Sequence, residues 1–230
     1  MGLVSCDPAA LQQVLDAAGQ AAANGALSQE QIGNGLKQAL EIGITKGAQQ
    51  LSSTNGYYKS QYKIPLPPEA LKVTEKLRGI PGFADIEEQI LEKINRGAED
   101  AAKKAAPIFK DAITAMTFTD ALDILMGADN AATSYLNRNT NTKLYSEFNP
   151  VIVASLDKFK AREVWSKAIN TYNKIPFVEK VNSDLDDFVT KKALTGLFDM
   201  VAKKELDIRK NVNARSTDLL RQVFAKQDNK

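Results

Sequence analysis

One signature recurs along this chain and limits what it can fold into: a capping residue, apolar side chains three or four apart, then Gly or Pro. Such spacing puts the apolar groups on one face of a 3.6-residue helix, which is buried only when another helix covers it. Asp7-Pro8 is an N-cap followed by Pro at the first helical position, and Leu11, Val14, Leu15 and Ala18 carry the stripe towards Gly25. Ser28 with Gln31 forms a capping box, followed by Ile32, Leu36, Leu40, Ile44 and Leu51. Leu71, Leu77 and the Gly79-Ile80-Pro81-Gly82 break bound a short helix starting at Glu69.

Ile86, Ile90, Ile94 and Ala101 stripe the next helix, which stops or kinks at Pro107, and Ile108, Ala112, Ile113 and Met116 continue the face. Thr117 with Asp120 caps a helix carrying Leu122 and Leu125 to Gly127, and Asp129 can cap the one holding Ala132, Tyr135 and Leu136. Asn149-Pro150 reads as a new start or a kink. Val164, Trp165, Ala168, Ile169 and Tyr172 lead to Ile175-Pro176. A capping box at Ser183 and Asp186 opens the longest helix, with Leu185, Phe188, Leu197, Met200, Val201 and Ile208 inside. Ser216 or Thr217 starts a last helix carrying Leu219, Leu220, Val223 and Phe224.

Strand patterns are almost absent. The expectation is an all-α, compact multi-helix bundle of about 8–10 helices, with one long extended loop near residues 52–68. Residues 8–227 are expected to form a single α-helical domain, with a sub-division near 137–149 as the alternative. No apolar run is long enough to span a bilayer.

Two features stand out. Gly35, Gly43 and Gly47 lie on one stripe of the Ser28 helix, where each glycine costs on the order of 1 kcal/mol against alanine. Close packing of another helix accounts for the ridge; a ligand or lipid chain lying against exposed backbone is the alternative. In the long loop, Ile64-Pro65-Leu66-Pro67-Pro68 must be extended, and Tyr57, Tyr58 and Tyr62 either pack the loop onto the body or stack on a ligand.

Composition removes whole classes of chemistry. With no histidine there is no imidazole-based nucleophile system, and one cysteine allows no internal disulfide, redox pair or thiolate zinc cage. No cofactor or metal is therefore expected, and no phosphate loop or nucleophile elbow appears. The Asp184, Asp186 and Asp187 cluster reads as helix-start capping, with a carboxylate-based hydrolase as the lesser alternative. Thirty Lys plus Arg against 28 Asp plus Glu, interleaved, give +2 and no basic face for nucleic acid.

The lone cysteine is placed tellingly. Leu3-Val4-Ser5-Cys6 reads as a bacterial lipobox, which makes Cys6 the lipid-attachment residue and residues 1–7 a truncated lipoprotein signal or tether. Gly2 after Met1 raises N-myristoylation, but the hydroxyl that motif wants at position six is Cys6.

Several blocks together resemble a known family. They are Gly35-Leu36-Lys37-Gln38-Ala39-Leu40, Ile64-Pro65-Leu66-Pro67, Asp111-Ala112-Ile113 through Met116-Thr117 to Asp120-Ala121, and Asp129-Asn130-Ala131-Ala132-Thr133. The strongest runs from Asp184-Leu185-Asp186 through Lys192-Ala193-Leu194 and Gly196-Leu197-Phe198 to Thr217-Asp218-Leu219-Leu220. Over roughly residues 27–225 the chain resembles the bacterial domain-of-unknown-function family 4197. The resemblance implies a secreted or lipid-anchored envelope protein of Gram-negative-type bacteria, and no activity. Asp7 after the cysteine resembles an inner-membrane retention signal, a rule that differs between lineages.

Within those blocks Asp129, Asn130 and Thr133 sit in a first helical turn, as caps or as an anion or ligand site. Arg209 and Arg215 flank the last helix break, to tie the C-terminal helix down or to meet an acidic ligand. The leading expectation is a non-enzymatic, lipid-anchored binding or scaffold module of the bacterial cell envelope, facing the periplasm or cell surface. Its partners would be the membrane, through the lipid on Cys6, and an unknown protein or apolar ligand. The alternative is a carrier of an apolar or lipid-like ligand between helices, with the glycine ridge and tyrosine loop as its mouth.

Overall fold

Ser28 opens its helix by reciprocal capping: its hydroxyl accepts from the Gln31 N–H at 3.1 Å, and Gln31 Oε1 accepts from the Ser28 N–H at 2.8 Å. The same device at Thr117 and Asp120 starts a second helix, so both capping boxes act as their spacing requires. The computed structural model describes residues 27–158, 160–181 and 185–228. Cys6, the stripe from Leu11 to Ala18, and Ser183 and Asp184 lie outside the described residues.

Nine α-helices and no strand occur among the described residues. They are α1 (Gln29–Ser52), α2 (Pro68–Leu77), α3 (Ile86–Ala102), α4 (Ala105–Ala115), α5 (Phe118–Met126), α6 (Ala131–Lys158), α7 (Ala161–Tyr172), α8 (Leu185–Lys210) and α9 (Asp218–Asp228). The four longest close a ring in which α1 packs on α3, α3 on α6, α6 on α8 and α8 back on α1. Around it α4 and α5 lie on α1 and α6, α2 and α7 on α3 and its neighbours, and α9 on α1 and α5. The apolar stripes meet in one core, from Leu36 and Leu51 through Ile90, Ile94 and Phe148 to Leu197 and Val223.

Local rules were overridden in a few places. Pro107 neither stops nor kinks α3: the chain breaks earlier, at Lys103-Lys104, and Pro107 falls in the first turn of α4, where its missing N–H has no helical acceptor to lose. Pro150 lies inside α6, which runs unbroken through residues 137–149, the stretch that offered a sub-division. Pro150 and Ser146, whose carbonyl loses its donor, are both exposed, so the missing bond falls on the solvent side of the helix and not in the core. Leu71 and Leu122 are 44% and 38% exposed, because Ala70, Val73 and Leu77 face the core in α2, and Ala121, Ile124 and Leu125 do so in α5.

Candidate functional site

The loop between α1 and α2 is bound down by α3. Asn95 accepts from the Ile64 N–H at 2.8 Å and donates to the Ile64 carbonyl at 3.0 Å, pairing both main-chain groups as a neighbouring strand would. One turn on, the buried Glu99 carboxylate accepts from the N–H groups of Tyr57 and Tyr58 at 3.2 and 3.1 Å. Arg96 bridges Glu99 and Asn55, at 2.9 and 3.1 Å, and Asn55 takes the left-handed conformation that asparagine tolerates.

The three tyrosines separate. Tyr57 is fully buried and donates to the Ala193 carbonyl of α8 at 2.7 Å, and burial pushes its phenol well above the usual range. Tyr58 lies half-buried on the surface, hydrogen-bonded to Glu88, which pushes its pKa up to about 12. The Tyr62 hydroxyl points at the Met200 sulfur at 3.7 Å. The loop is therefore packed on the body, with Tyr57, Ile64 and Leu66 in the core beneath it.

A second buried cluster closes the α5–α6 corner. Glu205 of α8 accepts from the N–H groups of Ala132 and Thr133 at 2.9 and 2.8 Å and from the Thr133 hydroxyl at 2.8 Å. The first turn of α6 thus already holds an anion, the protein's own carboxylate. Arg209, one turn after Glu205, donates to it at 2.8 Å and to the carbonyls of Ile124 and Leu125 at 2.8 and 3.2 Å. One ion pair on α8 therefore satisfies the last carbonyls of α5 and the first N–H groups of α6. Asp129 does not cap α6: its carboxylate pairs with Lys210 at 3.1 Å. Asn130 gives α6 its first acceptor, the carbonyl bonded by the Ser134 N–H at 2.9 Å.

Arg215 is the largest fully buried side chain. It donates to the Ile208 and Arg209 carbonyls at 3.0 and 2.9 Å and grips Asp228 of α9 with bonds of 2.6 and 2.7 Å. Both arginines tie helices together. Among the described residues no buried side-chain nitrogen or oxygen lacks a partner.

The glycine ridge seats side chains. A Cβ on Gly35 would lie 2.6 Å from Val223 Cγ2 of α9, one on Gly43 3.6 Å from Ile208 Cδ1, and one on Gly47 3.0 Å from Met200 Cγ. An apolar ligand would need the space these helices occupy. The carboxylates Asp186 and Asp187 are engaged by Arg162 at 3.1 Å, and by Lys191 at 2.8 Å and Tyr145 at 2.7 Å.

A hollow of about 380 Å³ lies where Gln29, Gly33 and Lys37 of α1 meet Phe118 of α5, and a groove of about 410 Å³ lies between α6 and α8. Asn137, Asn141 and Tyr145 form its α6 side, and Lys191, Thr195 and Asp199 its α8 side. Leu194 and Phe198, both buried, floor it. The two asparagines are linked at 3.0 Å. Thr195 and Asp199 also border a hollow of about 130 Å³ that continues over α8 to Tyr62, Ile64 and Pro65.

Glu205, Asn95, Glu99 and the asparagine pair escape a search by motif. A signal was present: Leu91, Asn95 and Glu99 share one four-residue row, as do Val201, Glu205 and Arg209, so polar groups follow apolar ones onto the inward face. No group of three or more potential metal-ligating residues occurs among the described residues, and none of their helices is long and apolar enough to cross a membrane.

No curated protein and no solved structure matches the chain. A family model described as protein of unknown function does match, over residues 26–225, and by that match the chain belongs to the DUF4197 family.

Proposed function

We propose that this protein is a non-enzymatic, lipid-anchored module of the bacterial cell envelope that holds an extended peptide segment in the α6–α8 groove. The groove itself carries the reading: about 410 Å³ with an apolar floor and polar walls, within the size range of ligand sites. The choice of ligand rests on chemistry the chain uses on itself. Asn95 pairs both main-chain groups of Ile64, and Asn173 pairs both of Val181 at 3.1 and 3.2 Å. Asn137 and Asn141 offer the same side-chain amides to a partner's main chain, while Leu194 and Phe198 receive an apolar side chain. The lipobox at Cys6 supports the address.

Native mass spectrometry with lipid extraction, on protein isolated from its own envelope, tests both halves. The expected result is an acylated Cys6 and a retained peptide, lost in a Thr195→Trp variant that fills the groove. Retention undiminished by Thr195→Trp, or no retained peptide, refutes the groove. An unmodified Cys6 refutes the anchor.

A further inference from the structure

Phe177 is the most exposed apolar side chain of the described residues, at 107% of its reference area. Its backbone has φ 63°, a left-handed conformation that a bulky L residue seldom adopts. Neither property belongs to a fraying tail. Phe177 is the middle residue of a loop whose ends are clasped by one side chain: Asn173 accepts from the Val181 N–H at 3.1 Å and donates to the Val181 carbonyl at 3.2 Å. Within that clasp Ile175 and Val178 turn inward and pack on the core, so the loop stands on an apolar pedestal and holds Pro176 and Phe177 outward.

The rim has a sign. Lys174 and Lys180 flank the tip and are exposed, against one exposed carboxylate, Glu179. An exposed aromatic residue at a loop tip, with an exposed lysine three residues to either side, can place its ring among acyl chains while the cations meet lipid headgroups. We propose that the 173–181 loop is a membrane-contact tip, with Phe177 entering the interface of an anionic bilayer and Lys174 and Lys180 meeting its headgroups. A protein partner would bury the same ring, but the lysine rim favours the lipid surface.

The chain's composition makes a clean test available. Trp165 is the one tryptophan, and it is buried, so a Phe177→Trp variant adds a reporter at the tip over a constant background. Cys6 is the one cysteine, so the full chain can be coupled through it to maleimide-headgroup lipid in vesicles. Coupling replaces any native acylation, and the outcome is independent of both the proposed anchor and the proposed groove. On vesicles containing about one quarter phosphatidylglycerol, the Phe177→Trp emission is expected to move to the blue and to be quenched by bromine-labelled acyl chains. Uncoupled wild-type protein should partition onto the same vesicles about tenfold more strongly than Phe177→Ala, and Lys174→Glu with Lys180→Glu should remove the spectral shift. Circular dichroism checks that each variant is folded. Emission unchanged on coupled vesicles overturns the proposal, as does a shift that is equal on neutral vesicles and survives the double lysine change.

Discussion

The glycine ridge of α1 turns one substitution into three different outcomes. Glycine to alanine inside a helix gains about 1 kcal/mol of propensity, so any departure from that gain measures what the new Cβ meets. On Gly43 it would meet Ile208 Cδ1 and Lys204 Cβ at 3.6 Å, ordinary contact, and Gly43→Ala should stabilise by nearly the full ~1 kcal/mol. On Gly47 it would lie 3.0 Å from Met200 Cγ; an unbranched methionine can turn aside, so Gly47→Ala should stay within about 0.5 kcal/mol of wild type. On Gly35 it would lie 2.6 Å from Val223 Cγ2 and 3.2 Å from Leu219 Cγ. Valine is stiff at χ1, so α9 itself must shift, at the roughly 1–3 kcal/mol typical of overpacking. Net of propensity, Gly35→Ala should lose about 1 kcal/mol, about 2 kcal/mol below Gly43→Ala. Urea unfolding followed by Trp165 fluorescence and helical circular dichroism measures the three. Gly35→Ala should cost less in a Val223→Ala background than in wild type, because the clashing methyl groups are gone, although Val223→Ala itself loses buried packing. If Gly35→Ala stabilises as much as Gly43→Ala, α9 does not rest on the ridge as described.

Other consequences follow from the buried polar pairs. Arg209→Met strands the Glu205 carboxylate, 4% exposed on its side chain, and should cost about 3–5 kcal/mol in chemical denaturation; a cost under 1 kcal/mol would mean that the pair does not close the corner. Asn95→Ala removes both bonds to Ile64 and should cost about 1–3 kcal/mol, with hydrogen exchange rising first in residues 53–67; unchanged exchange there would show that other contacts hold the loop. Arg215 hydrogen bonds hold the Asp228 carboxyl below its ordinary range. A carboxyl whose folded pKa lies below its unfolded value of about 3.9 adds stability above that value and loses it as pH falls through the folded pKa. The acid limb of the stability profile should therefore be shallower in Asp228→Asn, and identical limbs would refute the tie.

Much of this architecture was legible in the sequence. The boxes at Ser28 and Thr117, the break at Gly79-Ile80-Pro81-Gly82 and the stripe of Ile86, Ile90 and Ile94 bound or bury their helices as their spacing requires. Capping and 3.6-residue periodicity act within a single turn or two, so a local reading captures them. The exceptions were decided over longer range. Helix α6 continues through Pro150 because packing on α3, α4 and α8 outweighs one missing bond. Asp129, well placed to cap α6, is displaced by Glu205, which reaches the Ala132 N–H from 73 residues further along the chain.

For the candidate site the balance reverses. The sequence drew attention to residue types: the lone Cys6, the tyrosines of the loop, the two arginines near the last helix break. Tertiary structure assigned partners to the tyrosines and the arginines, and sank Tyr57 into the core beside Gly196 of α8, where an added Cβ would stand 3.0 Å from its ring. It also opened the groove where Asn137 and Asn141 of one helix face Thr195 and Asp199 of another. Helical periodicity says which face of a segment is buried. Which carbonyl a buried arginine reaches, or where two helices leave space between them, depends on groups that share no local stretch of chain, so only the packed fold determines it.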